Sequence, residues 1–513
     1  MKRKKFFLYL TLSIIVIIGF TLRVYRNVEI PPGFFADEAS IGYNAFTLLT
    51  KGSDEAGNRF PILFQNFGNF YRPPISIYIS SVFVYFLGLN EFSVRLSAAV
   101  FGTLTIITVF YLSRILFSSD KIGLLSSLFL AISPWHIHFS RINQEFIYLV
   151  FFLTLSIHLF LLTFKNKKPF FLILSFIMFG LSLYTYVTAY FLIPIFLVSI
   201  LFIYRKNVLK IKKVFFWGLA IFFIMTLPLV IGLTNGKTLS RFYQVSGVNK
   251  EKTNITIISG AINTYVNHFL PEFLFEKGDI DYHNHFITRF SVRGMGQLYW
   301  FQLPLIVLGL ILAARKNKNS FLLLFAWLIV YPLGSTMAPF ADGGGPFSMR
   351  SITGVIPFQI LSAVGFIYLF SLIKKNYFKI IMGFILFTII IFSFKTYLYN
   401  YFIKYPLYAA DFWGWQYGAR DIVKYFSENE LKYNELIMIP EFNAPDIFFK
   451  FYASGNCFKC KLGTPSESYN PKLKQLFAVS QNYLEEHSYQ FKTLKTIYYP
   501  NKKVAFQIGE VLE

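Results

Sequence analysis

Eleven stretches of this sequence, near 6–24, 96–113, 122–139, 146–164, 169–185, 188–204, 214–233, 298–314, 320–337, 352–373 and 380–397, are apolar over a length that can cross a bilayer. The hydrocarbon core is about 30 Å thick and an α-helix rises about 1.5 Å per residue, so a span takes roughly 17 to 25 residues. The 513-residue chain is 55% hydrophobic and 20% aromatic, more apolar surface than a soluble core of that length holds. The expected fold class is therefore an all-α polytopic membrane protein with about eleven transmembrane helices. The opening MKRKKFFLYLTLSIIVIIGF has a basic start and an apolar stretch, but no small-x-small cleavage site follows it, so it reads as an uncleaved first span.

The formal charge of +23 could point to nucleic acid, but its placement points to a membrane instead. A fourteen-residue apolar stretch, Pro74 to Leu87, is too short to span and reads as a helix lying at the outer interface. With it left out, the inner segments 2–5, 114–121, 165–168, 205–213, 315–318 and 374–379 hold twenty Lys and Arg and one acid, Asp120. The other 25 acids fall outside, the asymmetry that the positive-inside tendency produces. Counting Pro74–Leu87 as a span would put the basic runs 165–168, 205–213 and 315–318 outside.

An odd number of spans places the C-terminal tail on the outer face. The chain divides accordingly into a transmembrane region, 1–397, with its outer loop 25–95, and an extracytoplasmic tail, 398–513. In the tail a helical pattern (YGARDIVKYFSENE) precedes a strand-like one (ELIMIP), which suggests a small α/β domain. Its Cys457 and Cys460 form a lone C-x-x-C, too few ligands for zinc, and read as a local disulfide or two inert thiols.

The polar residues that deserve a chemical reading sit in the outer segments. Asp37 and Glu38 stand side by side in PPGFFADEASIGYNAF; a solvated loop would explain them, but so would a general base at Asp37, with Glu38 orienting an acceptor or binding a cation. Tyr71 and Arg72 precede Pro73 and Pro74 at the start of the short apolar helix, where Arg72 can touch lipid headgroups or a phosphate. The turn SPWHIHFSRINQE gathers His136, His138, Arg141 and Glu145. His-x-His alone is a weak metal signal, and Arg141 with Glu145 has the spacing of a helical ion pair or of a substrate contact. Asp279, Asp281, His283 and His285 cluster before a later span, the two histidines being weak metal candidates that leave room for a divalent cation without establishing one. Gly343, Gly344 and Gly345 precede Arg350, which is expected to open a helix and to be a phosphate contact.

Taken in order, ADEASIGYNAF, YRPPISIY before LGLNEFSVRLSAAVFG, SPWHIHFSR and MRSITGVIP resemble the GT-C superfamily of polyprenyl-phosphate-dependent glycosyltransferases, close to the family 39 group of protein O-mannosyltransferases and lipid A aminoarabinose transferases. The resemblance covers roughly residues 1–420 and leaves the rest of the tail outside it. It implies a membrane glycosyltransferase that moves a sugar from a polyprenyl-phosphate donor to a lipid, glycan or protein acceptor, with inversion at the anomeric carbon. It further implies that Asp37 is the base and that outer-loop arginines meet the lipid phosphate. Two departures are visible: Tyr71-Arg72-Pro73 replaces the Glu-Lys-Pro of aminoarabinose transferases, and Glu145 stands where related enzymes often carry aspartate. A transporter or ligase of lipid-linked glycans is the alternative; transporters, however, tend to carry ionisable groups at mid-membrane and paired repeats, whereas here the acids gather on one face.

Overall fold

The computed structural model describes residues 2–67, 70–240, 253–279, 287–340, 344–487 and 490–512. Every apolar stretch named above coincides with a helix. Among the described residues seven helices are long and apolar enough to cross a membrane, including α1 (Lys2–Val24). A bent pair, Asp120–Ala131 and Pro134–Ser140, meeting at 60°, brings the number to eight when it is counted as one span. The break follows from the sequence, because Pro134 offers no backbone N–H to the helix before it while the Ser133 side chain caps the helix after it. Phe170–Leu183, Ala189–Ile203 and Gln302–Lys316 have only fourteen or fifteen residues, about 21–23 Å. Length and composition thus carry seven or eight crossings rather than eleven. The chain is a multi-pass membrane protein.

The core helices pack closely where small residues meet. Gly309 and Gly365 are reciprocal: a Cβ on either would run into a backbone carbonyl of the other helix, Leu361 O or Leu305 O. Peripheral helices look different. Asn376–Tyr399 turns bulky apolar side chains outward, with Phe384 71% and Phe392 70% exposed, as a lipid-facing helix does.

Between the first two spans the chain forms α2 (Ala36–Lys51), a hairpin of β1 (Phe64–Asn66) and β2 (Phe70–Arg72), and α3 (Ile75–Leu87), then enters the long α4 (Glu91–Phe117). Asn90 starts α4 with a capping box closed by Ser93. The thirteen residues of α3 rise about 20 Å, short of a span, as its sequence length required.

The last apolar helix runs on past residue 397 through a π turn, Asn400–Lys404, to Tyr408. Beyond it lies a five-stranded sheet of order β4-β3-β5-β7-β6, made of β3 (Glu435–Met438), β4 (Cys460–Leu462), β5 (Gln475–Ser480), β6 (Phe491–Tyr498) and β7 (Val504–Val511). Strands β4, β3 and β5 are parallel and β7 and β6 are antiparallel to their neighbours. Cys457 and Cys460 are joined in a disulfide where β4 begins. This region does not pack on itself alone. Phe34, Ala39 and Tyr43 of the first loop share one hydrophobic core with Ile422, Phe448 and Phe451, and the rings of Phe34 and Phe451 lie 4.9 Å apart.

Candidate active site

Asp37 and Glu38 occupy the first turn of α2, where carboxylates are favoured by the unpaired N–H groups. Adjacent positions on a helix face about 100° apart, and the two acids are sent to different places. Glu38 points into the protein and is fully buried. Its two oxygens accept from Arg95 Nε at 3.0 Å and Nη2 at 2.8 Å, and the backbone N–H of Asn143 donates to it at 2.9 Å. Arg95 also donates to the carbonyls of Asn27, Pro31 and Gly33, so this pair ties the loop before α2 to α4.

Asp37 turns the other way, onto a cavity. Its carboxylate meets Arg72 Nη2 at 2.8 Å, while Arg72 Nη1 donates to the Asp37 carbonyl at 3.2 Å. On its other side Arg72 Nε lies 3.5 Å from Glu145, which precedes the helix Phe146–Asn166. Burial works against the Arg72 charge, but the carboxylates of Glu145 and Asp37 outweigh it and hold the guanidinium pKa above its ordinary value. All three side chains remain partly open, at 8% for Arg72, 18% for Asp37 and 13% for Glu145.

The cavity is lined by Asp37, Tyr71, Arg72, Glu145 and Arg350 together with Asn66, Gln144, Thr188 and Met349, and holds about 870 Å³ with its open mouth included. Five of the seven side chains singled out for catalysis or substrate binding thus share one wall system, although 313 positions separate the first from the last. Arg350 arrives by a different device from the one expected. Gly344 and Gly345 do take left-handed backbone, with φ of 85° and 88°, but the helix Val355–Leu372 begins five residues after Arg350, which sits in a turn. That turn is anchored by Asp279, whose carboxylate accepts from Ser348 N at 3.0 Å and Oγ at 2.6 Å, and by Trp135, whose indole donates to the Ser348 carbonyl at 3.0 Å. The Arg350 guanidinium lies 4.6 Å over the Phe347 ring.

Two of the expected substrate contacts are not brought to this cavity. Glu38 is closed off by Arg95, as above. Arg141 is buried and donates to the carbonyls of Leu22, Tyr25 and Ile30, closing the C-terminal end of α1 rather than pairing with Glu145. His136 and His138 are also enclosed, the first against Arg23 and the second on the Arg289 carbonyl. Asp281, His283, His285 and Gly343 lie outside the described residues, and among the described ones no three His, Cys, Asp or Glu gather as metal ligands do. Sequence reasoning passed over Arg95 and Thr188. A lone arginine four residues into the apolar α4 was the readable sign of a buried partner; the buried Thr188 hydroxyl, which has no hydrogen-bond partner among the described residues and lines the cavity, left only a polar interruption in YTYVTAY.

Residues 71–231 match the family model described as dolichyl-phosphate-mannose-protein mannosyltransferase. An uncharacterized protein of Aquifex aeolicus (strain VF5) is 29% identical over 212 residues, 41% of this chain and 40% of that relative, so the chain matches about two fifths of the relative's length. Two solved structures are similar in fold. The Archaeoglobus fulgidus oligosaccharyltransferase in the apo form aligns with a TM-score of 0.55 at 14% identity, covering 88% of this chain and 64% of that one. ArnT from Cupriavidus metallidurans bound to undecaprenyl phosphate aligns with a TM-score of 0.55 at 11% identity, covering 98% of each chain. Coverage that wide takes in the C-terminal sheet, which the sequence resemblance left outside. The chain thus shares the fold of these two structures over most of its length, and residues 71–231 match the mannosyltransferase family model.

Proposed function

We propose that this protein is a glycosyltransferase that moves a sugar from a polyprenyl-phosphate-linked donor to an acceptor hydroxyl or amine at the outer face of the membrane, inverting the anomeric carbon. The observation that carries the reading is the cavity itself, in which a carboxylate, Asp37, stands beside the guanidinium of Arg72 with Arg350 on the same walls. A carboxylate held by a guanidinium stays ionised, the form that accepts a proton. In the proposed step an acceptor oxygen or nitrogen attacks the anomeric carbon from the face opposite the phosphate. The bond from that carbon to the phosphate oxygen breaks, the polyprenyl phosphate leaves as an anion, and the acceptor proton passes to Asp37. Arg72 and Arg350 offset the negative charge that grows on the leaving phosphate. Tyr71 and Glu145 shape the same cavity, Glu145 by holding the far side of Arg72.

The lipid class is supported by a fold relative, since the ArnT structure holds undecaprenyl phosphate. An outer-face location for the site and the C-terminal sheet is supported by the one-sided distribution of acids and by the Cys457–Cys460 disulfide, a bond that persists in oxidising compartments. On this reading residues 1–397 form the transferase body and 398–513 an outer domain docked on its first loop. The test is an assay of purified protein with a panel of polyprenyl-phosphate monosaccharides, following release of lipid phosphate. Release with at least one donor, dependent on an added acceptor, supports the reading; consumption of none of them refutes it.

A further inference from the structure

A second cleft, sharing no lining residue with the Asp37 cavity, opens beside the C-terminal sheet and holds about 1020 Å³ with its mouth included. One wall is the segment that follows the last apolar helix, with Asp411, Phe412, Trp413 and Gln416; the other is built where β3 and β5 end, from Glu441 and Phe442 after β3 and from Ser480, the last residue of β5, to Asn482. Strand β3 lies between β4 and β5, so the chain leaves β3 to one side and returns on the other. Crevices at the carboxyl ends of parallel strands, where the winding reverses, are where open α/β sheets hold ligands.

Gln416 makes this more than a gap. It is 2% exposed, lines the cleft, and neither its amide nitrogen nor its amide oxygen has a hydrogen-bond partner among the described residues. Its backbone is held in the left-handed region, at φ 55°, which a non-glycine residue adopts rarely. A buried amide that keeps both groups unmet is costly unless something that enters the cleft meets them. The surroundings define what that is. Phe412, 44% exposed, offers an apolar ring face at the mouth, edge-on to the Trp413 ring beside it. Asp411 and Glu441 supply acceptors. The Tyr499 hydroxyl between them has its pKa raised by burial and then by those two carboxylates. No Lys, Arg or His is among the described residues that line this cleft, in contrast to the two arginines of the Asp37 cavity. Ring faces, an amide and carboxylates, with no cation among the described lining residues, suit a neutral polyhydroxyl compound better than a phosphate.

The cleft is joined to the proposed catalytic turn by few steps. Arg289 Nη1 donates to the Trp413 carbonyl at 2.8 Å, and the same guanidinium lies 3.9 Å over the ring of Phe35, the residue that precedes α2 and Asp37. Resting on the transferase reading above, we propose that this cleft binds a neutral saccharide portion of the acceptor, so that the acceptor is itself a glycan-bearing molecule.

The test uses the full chain in nanodiscs, without donor, and reads binding of maltotriose, mannotriose and chitotriose by saturation-transfer NMR. Gln416→Leu keeps the side-chain volume and removes both amide groups, so saturable binding of at least one trisaccharide to the wild type should weaken about tenfold or more in this variant. Asn482→Ala, at an exposed rim position, should weaken the same ligand more mildly, and it decides the matter if Gln416→Leu does not fold. Binding of none of the three to the wild type, or binding unchanged in the variants that fold, overturns the proposal. Because no donor is present, this result is separable from the donor assay: lipid-phosphate release without saccharide binding refutes the cleft alone, and saccharide binding without donor consumption refutes the transferase reading alone.

Discussion

Asp37 and Glu38 are neighbours on one helical turn, each paired with an arginine at 2.8 Å, and they illustrate opposite uses of the same interaction. The Glu38–Arg95 pair is wholly enclosed, and both partners spend their remaining hydrogen-bonding capacity on backbone of the surrounding loop and of Asn143. The Asp37–Arg72 pair keeps an open side on a cavity, and its arginine is shared with a second carboxylate, Glu145. An ion pair sealed on every side can only hold structure. One left open on a cavity can exchange partners with a substrate, and the first pair sets the position of the second, because Glu38 fixes the turn that aims Asp37.

The largest expected effect lies on the sealed side. Glu38→Ala leaves Arg95 buried without its carboxylate and should cost about 3–5 kcal/mol of stability, seen as a lowered unfolding midpoint in detergent; a change below about 1 kcal/mol would place the pair among weak surface-type contacts. On the open side, Asp37→Asn should leave the unfolding midpoint near that of the wild type while turnover falls by about 10²-fold or more. Arg350→Lys keeps a charge but loses the planar fork, so donor affinity should fall about tenfold with the fold intact; unchanged donor affinity would remove Arg350 from the site.

The smallest effect sharpens the contrast with a third acid. Glu55 is largely enclosed with Lys450 3.6 Å from its carboxylate, and burial pushes its carboxyl pKa up. An acid harder to ionise in the fold than in the unfolded chain is most favourable below its ordinary pKa and loses stability as pH rises through the folded value. Glu55→Gln should therefore change stability at pH 7 by less than about 1 kcal/mol, in the favourable direction, and flatten the loss of stability as pH rises above the ordinary glutamate pKa. A large destabilisation instead would make Glu55 a second anchor like Glu38.

Much of this was readable before any coordinates. Each apolar stretch became a helix because length and hydropathy are local properties, and α3 stayed short for the same reason. That Asp37, Arg72, Glu145 and Arg350 would come together was an expectation from loops read on one side of the membrane and from the family resemblance, and all four line one cavity. What stayed hidden depends on contacts remote in sequence. Whether Asp37 or Glu38 faces the cavity is decided by Arg95, fifty-seven positions away from Glu38. Arg141 was drawn to the open carbonyls at the end of α1, over a hundred positions earlier, and away from its neighbour in helical spacing. The shared core of Phe34 and Phe451 joins segments that look like separate regions, since apolar residues in a loop and in a tail do not announce that they cover each other. Nor does hydropathy tell a crossing of fifteen residues from one that stops short, which is why three of the eleven helices fall below the length of a span.

The central claim, that of two adjacent acids Asp37 does chemistry and Glu38 does not, is tested most directly by donor binding and sugar transfer measured on the same purified Asp37→Asn protein. The account predicts that donor binding persists, because the cavity and its arginines remain, while transfer falls by about two orders of magnitude or more. Transfer at a near wild-type rate with binding intact would contradict it and return Asp37 to the structural role of its neighbour.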